Sequence, residues 1–230
     1  MRGRRSIVFF VLFYLLVSVP SAYAIKLGDF NIRNDLSLFY IIDGAQQYNK
    51  KNAPVRFTWV GDWRYKHLFF FKPIYRVTYT SDLQTSPFYI FTPDFGAYVY
   101  KNFALRYQHE AKRTNTGKKI TNQENDRLGI SYDCKGKLFK GKLTWSNDFQ
   151  YFPYMAQEDQ RIRAVTRLGY GKFDLCTINY YEIEEFNYED ITTISYSLYE
   201  NKNVDVSLKF QFQKTRDKPK SYRIGMGISF

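Results

Sequence analysis

The sequence predicts an all-β fold, a closed antiparallel up-and-down transmembrane β-barrel of about 12 strands, and three observations carry that reading. The chain ends on an alternation: Tyr222, Ile224, Met226, Ile228 and Phe230 fall on one face of a strand, Arg223, Gly225, Gly227 and Ser229 on the other. Such an apolar edge strand invites aggregation in an open sheet, whereas a barrel in lipid has no edge and needs that face outward. Strand-like runs are joined by alternately short and long connections, the rhythm of a barrel with tight turns at one end and loops at the other. Aromatic residues make up 20% of the chain, with 21 Tyr and 21 Phe, as girdles at both membrane interfaces require. The mean hydropathy of −0.47 agrees, since only alternate residues meet lipid.

Residues 1–24 read as a signal peptide. Arg2, Arg4 and Arg5 form its positive start, 7–19 its apolar core and Ala22-Tyr23-Ala24 its cleavage site. That core is shorter than the ~20 residues of a membrane-spanning helix. Residues 25–230 are then one barrel domain, addressed to the bacterial outer membrane.

The elements follow in order. Strands are expected near 35–43, 55–62, 68–80, 88–100 and 103–111, with a tight turn at 101–102. The pair 125–134 and 137–151 hinges at Lys135-Gly136, and the pair 161–170 and 173–184 at Gly171-Lys172. Strands 190–199 and 204–214 meet at Glu200-Asn201-Lys202-Asn203, and 221–230 closes the chain. Longer connections fall at 81–87, 112–124, 152–160, 185–189 and 215–220. Short turns are periplasmic in outer-membrane barrels, so both termini are expected in the periplasm and the strand number even, with ten as the alternative.

Alternation assigns the faces. Val204, Val206, Leu208, Phe210 and Phe212 point one way, Asp205, Ser207, Lys209, Gln211 and Gln213 the other. By the same parity the lumen receives Lys72, Arg76, Arg106, Arg127, Lys140, Lys142, Arg163, Arg167, Lys209 and Arg223, against the acids Glu110, Asp148 and Asp205. Two consequences are open: a positive lumen, or bases neutralised by further acids. The full chain carries a formal charge of +12, and residues 25–230, with 31 basic and 22 acidic groups, +9. Nucleic acid is excluded as a routine partner by the compartment. Membrane lipids, lipopolysaccharide and small anionic solutes are the expected ones. Cys134 and Cys176 are expected three strands apart, beyond disulfide reach, and in no metal-ligand spacing.

The most pointed chemistry lies on 103–111, where Phe103, Leu105, Tyr107, His109 and Ala111 share the outward row. Asp126, with Leu128 and Ile130, is outward on the next strand. His109 and Asp126 are thus expected to meet on the lipid face near the outer rim, as a base and its orienting carboxylate.

Tyr107-Gln108-His109-Glu110-Ala111, followed by Asp126-Arg127, resembles the outer-membrane phospholipase A family. In that family Tyr-x-His-x-Ser-Asn-Gly ends one strand of a twelve-stranded barrel and Asn-Arg opens the next. The resemblance spans about 68–230 and implies an outer-face Ser-His-Asn site, calcium as cofactor and an active homodimer. By it, His109 is the base, Asp126 stands for the orienting Asn, and Ala111 takes the place of the nucleophilic Ser. Ala111 has no hydroxyl, so the resemblance implies an impaired enzyme. A channel for small anionic solutes or acidic oligosaccharides is the alternative, because small barrels of that kind also have basic lumens. An adhesin is a third class, for which the loops are short.

Overall fold

The computed structural model describes residues 29–43, 55–79, 88–115, 120–155, 160–183, 187–216 and 218–230. The signal peptide read at 1–24 lies outside them. Twelve antiparallel staves close a barrel. They are β1 (Phe30–Asp43), β2 (Val55–Tyr65), β3 (Phe69–Phe71 with Ile74–Tyr79), β4 (Phe88–Thr92 with Asp94–Tyr100), β5 (Phe103–Asn115) and β6 (Ile120–Leu138). There follow β7 (Leu143–Met155), β8 (Arg161–Tyr170), β9 (Phe173–Glu182), β10 (Asn187–Glu200), β11 (Asp205–Thr215) and β12 (Lys218–Ser229).

Closure is made by β1, which pairs with both β2 and β12, in the register Leu38↔Met226 and Leu38↔Phe57. The Asn34 N–H donates to the Phe230 carbonyl at 2.7 Å and the Phe230 N–H to the Asn34 carbonyl at 2.9 Å, so the last residue is pinned into the ladder. Inside this seam Lys209 donates to Asp35 at 2.7 and 2.8 Å and to the Ser37 hydroxyl at 2.8 Å, tying β11 to β1 across β12.

The two faces separate as the alternation predicts. Leu105, Leu128, Ile130, Phe149, Ile194, Leu208, Phe210 and Ile224 are exposed on the outside. Arg106, Gln108, Arg127, Ser131, Gln150, Ser207, Lys209 and Arg223 are buried on the inside. An exterior that is apolar and an interior that is polar is the inverse of a water-soluble sheet, and fits lipid as the surrounding solvent.

Two staves are interrupted where unbroken strands are expected. Pro73 and Pro93 have no N–H to give to the ladder, and each parts its strand. Their carbonyls still accept, Pro73 from Gly61 at 2.8 Å and Pro93 from His109 at 3.1 Å.

One hairpin is displaced from its expected place. Lys135-Gly136 is not a turn: β6 runs through it to Leu138, and Leu138↔Leu143 is the last pair. Gly136 is needed there for space, because a Cβ would lie 2.4 Å from the Trp145 indole nitrogen. The turn comes at Phe139 (φ 50°), Lys140 (φ 56°) and Gly141 (φ 87°), all in left-handed backbone. Lys140 and Lys142 are therefore exposed turn residues and not lumen bases. The loop expected at 112–124 is also mostly strand, since β5 and β6 pair out to Asn115↔Ile120.

The lower interior is filled. Phe70 of β3 is 3% exposed and stacks beneath Arg106 and Lys72, each 4.8 Å from its ring centre. Gly96 lies against that ring, and a Cβ at Gly96 would come within 2.0 Å of it. We expect Gly96→Ala to cost about 1–3 kcal/mol, the usual penalty of overpacking, read as a lower urea midpoint in detergent micelles. An unchanged midpoint would contradict this packing. Both cysteines are free, Cys134 on the outward row of β6 and Cys176 on the inward row of β9.

Candidate functional site

The register of β5 and β6 sets His109 opposite Asp126 on the outer wall. His109 Nδ1 lies 2.9 Å from Asp126 Oδ1. An ionised carboxylate only accepts, so the hydrogen bond requires the proton on Nδ1, and in the neutral ring Nε2 then keeps its lone pair. That is the tautomer a general base needs. The two side chains are 30% and 48% exposed, open to the lipid side.

Tyr107 completes the group, although the sequence reading gave it no role. Its hydroxyl donates to the same Asp126 Oδ1 at 2.6 Å, so one carboxylate oxygen serves both partners. The signal was present, since Tyr107 precedes His109 by two positions and must share its face. Ala111 follows His109 on the same row, opposite Phe91 on one side and Glu124 on the other.

From Tyr107 an aromatic ladder runs around the wall. Tyr107 stacks near Phe95 at 6.4 Å, Phe95 on Phe71 at 4.6 Å, and Phe71 meets Trp63 edge-on at 5.3 Å. These rings, with Phe30, Tyr65, Phe69 and Leu128, line an apolar groove of about 610 Å³ on the outer surface. The groove begins beside the His109–Asp126 pair and descends toward the short-turn end.

The lumen bases have more acidic partners than the sequence reading assigned. Arg106 forks onto Asp94 at 2.5 and 3.2 Å and reaches Asp148 at 3.0 Å. Lys72 also meets Asp148, at 3.3 Å, and Arg64 holds Asp62 at 2.8 Å. Arg127 contacts Gln108 at 3.0 Å and Glu110 at 3.2 Å. Arg223 is bonded to Gln211 and Gln213, and Arg163 to Gln150 at 3.2 Å. Asp205 accepts from Ser197 at 2.6 Å. Arg76 and Arg167 face inward with no ion-pair partner among the described residues. Of the two consequences left open, neutralisation therefore describes most of the interior, through Asp35, Asp62 and Asp94.

Calcium takes 6–8 oxygen ligands. Among the described residues no three His, Cys, Asp or Glu side chains converge on a metal-sized site. Asp126 has one oxygen already shared by Tyr107 and His109, and Glu124 is the next carboxylate along its row. The described side chains do not form a calcium cage.

A closed barrel with an apolar exterior and a polar, ion-paired interior defines the class: an outer-membrane β-barrel. No family model and no curated protein matches the chain. Solved structures do. The chain is similar to outer membrane phospholipase A from Escherichia coli, with a TM-score of 0.52 and 12% identity over 94% of this chain and 96% of that one. It is similar also to the Salmonella typhi outer membrane phospholipase dimer with bound calcium, at TM-score 0.51 and 13% identity, covering 86% and 90%. KdgM porin aligns at TM-score 0.46 and 8% identity over 85% and 98%. At these identities the likeness is one of fold.

Proposed function

We propose that this protein is a lipid-facing barrel of phospholipase A type whose hydrolytic site is impaired by Ala111. The carrying observation is the outward His109–Asp126 hydrogen bond, with its carboxylate further bonded by Tyr107. A polar triad on a lipid-exposed wall costs desolvation and contributes nothing to the apolar band, so its presence there favours a role toward lipid. The adjoining groove is apolar and wide enough for an acyl chain, which supports a phospholipid as the molecule addressed.

The residue roles follow the chemistry. His109 is placed to take a proton at Nε2, and Asp126 orients the ring and would stabilise its protonated form. Ala111 offers no oxygen to attack an ester carbonyl, so no acyl-enzyme can form at that position. Outer-membrane lipids and lipopolysaccharide are the partners of such a surface. Homodimerisation along the aromatic wall belongs to the same proposal, as does placement of both termini in the periplasm. The experiment compares phospholipid hydrolysis in micelles by the parent, Ala111→Ser, and Ala111→Ser combined with His109→Ala. Equal rates for all three would remove the phospholipase reading.

The second reading is a channel for small anionic solutes or acidic oligosaccharides. Arg76 and Arg167, inward and without ion-pair partners among the described residues, favour it. The interior weighs the other way, because Gln150, Phe152 and Arg127 are at most 1% exposed, so side chains pack that part of the barrel. We expect no steady conductance in planar bilayers at moderate voltage. Stable anion-selective openings would make the channel the better description.

A further inference from the structure

The register of β6 and β7 sets two carboxyl groups face to face inside the barrel, Asp133 opposite Asp148. The pair lies near the short-turn end, where the Asp133 N–H donates to the carbonyl of Asn102 at 3.0 Å. Both side chains are mostly buried, 20% and 19% exposed. Two ionised carboxylates directly opposite each other on neighbouring strands repel, and groups shielded from water feel that repulsion most. The connections at this end, 66–68, 101–102, 139–142, 171–172 and 201–203, all lie among the described residues.

The surrounding donors are divided unequally between the two. Asp148 receives Arg106 at 3.0 and 3.2 Å, Lys72 at 3.3 Å and the Gln150 amide at 2.8 Å. Arg163 of β8 adds its positive field to the same carboxylate. Among the described residues, Asp133 has one side-chain donor, the Tyr98 hydroxyl of β4, which reaches Oδ2 at 2.5 Å. Arg64 of β2 stays 3.9 Å away and directs its fork at Asp62, at 2.8 and 3.1 Å. Lys72 acts on Asp133 through space, its ammonium being bonded to Asp148. Asp94 is held by Arg106, and Lys135, the next inward position of β6, is exposed. His67 stacks on Tyr98 at 4.2 Å, with its Nε2 2.6 Å from the Lys101 carbonyl. The second oxygen of Asp133, Oδ1, is buried and has no donor among the described residues, while the Asp148 carboxyl lies within hydrogen-bond reach.

A carboxyl oxygen that faces another carboxylate is satisfied only when a proton lies between them. We propose that Asp133 and Asp148 share one proton and form an acid-sensing clasp at the short-turn end, joining β6 to β7 and, through Tyr98, to β4. Asp148, bonded by a guanidinium, an ammonium and an amide, is the charged member. Asp133 donates the proton from Oδ1 and accepts from Tyr98 at Oδ2. The clasp responds to pH in one direction. The folded barrel holds the proton, whereas in the unfolded chain the two aspartates are separate and release it with the ordinary pKa of about 3.9. Raising the pH therefore favours the unfolded chain, by up to about tenfold in the unfolding equilibrium constant per pH unit for one proton. Without the proton two like charges oppose each other across the β6–β7 ladder. The clasp stands whether or not the outer wall acts on lipid.

Isotope-edited infrared spectroscopy of the whole barrel in lipid vesicles, with labelled aspartate, tests the shared proton directly. A protonated-aspartate band is expected in the parent at neutral pH and should vanish in Asp133→Asn. It should vanish also in Asp148→Asn, which removes the opposing charge and lets Asp133 ionise, so either variant serves if the other fails to fold. Urea unfolding then reads the linkage. Asn at position 133 can accept from Tyr98 and donate to Asp148 with no proton to lose. From mildly acid to mildly alkaline buffer the parent should therefore lose stability relative to Asp133→Asn, by up to about tenfold per pH unit, and the two should converge in acid. His67 is present in both proteins and cancels in the comparison. Absence of the band from the parent, its persistence in a folded variant, or parallel pH profiles would overturn the proposal.

Discussion

Ala111→Ser is expected to raise phospholipid hydrolysis roughly a hundredfold over the parent, the lower end of what a positioned general base contributes. Position 111 lies two residues beyond His109 on the same outer row of β5, a spacing of about 6.8 Å along a strand. A hydroxyl there would occupy the outward site next to the imidazole on the same strand. The remaining parts are already in place: Nδ1 is held by Asp126 at 2.9 Å, which frees Nε2. Adding His109→Ala should erase the gain, because groups that act as one unit lose function together. Tyr107→Phe in the Ala111→Ser background should lower the rate several-fold, since the Asp126 oxygen would lose its 2.6 Å donor. A gain that survives His109→Ala would place the chemistry elsewhere.

Arg106→Met is expected to be the most destabilising single change in the interior. The Arg106 side chain is 0% exposed, and its fork binds Asp94, itself 1% exposed, and Asp148 across the lumen. Among the described residues its removal leaves Asp94 without an ion pair and Asp148 with Lys72 as its remaining ion pair, beside the Gln150 amide. Breaking a buried pair in this way costs about 3–5 kcal/mol. Replacing both members with apolar groups of similar volume is often nearly neutral, so Arg106→Met with Asp94→Leu should recover most of the loss. Urea unfolding in lipid vesicles, followed by tryptophan fluorescence, measures the difference. If the double substitution is no more stable than the single one, the ion pair is not what holds β4 to β5.

The fold was legible because membrane barrels write their topology in a period of two. Tyr222 to Phe230 and Val204 to Gln213 show it without interruption, and β11 and β12 have the expected faces. The hairpin after β6 was less legible. Lys135-Gly136 has turn composition, but Gly136 is there to make room for Trp145, and left-handed backbone is taken instead by Phe139 and Lys140. Nothing local in a sequence distinguishes a glycine that bends the chain from one that yields space to a ring on the neighbouring strand.

The site was legible in part for the same reason. Parity alone brings His109 and Asp126 to one face, and antiparallel pairing of adjacent strands brings them opposite. Tyr107 was on the same row, but its link to Asp126 depends on a rotamer, which no period encodes. The lumen charge stays open in the sequence because Asp94 follows Pro93, where the strand breaks, and because Asp35 and Asp62 sit on the two staves whose limits the sequence defines least. Those carboxylates turn a lumen that reads as basic into one that is largely paired.

The alternation itself is the claim on which all else depends, and one scan tests it. Single cysteines at 104 to 109 of β5, in a Cys134→Ser/Cys176→Ser background, are spin-labelled in bilayers and their collision rates with oxygen recorded. Oxygen concentrates in hydrocarbon, so positions 105, 107 and 109 should show high rates and 104, 106 and 108 low ones. A flat profile, a period near 3.6 residues, or high rates on the Arg106 face would contradict a barrel that presents His109 to lipid.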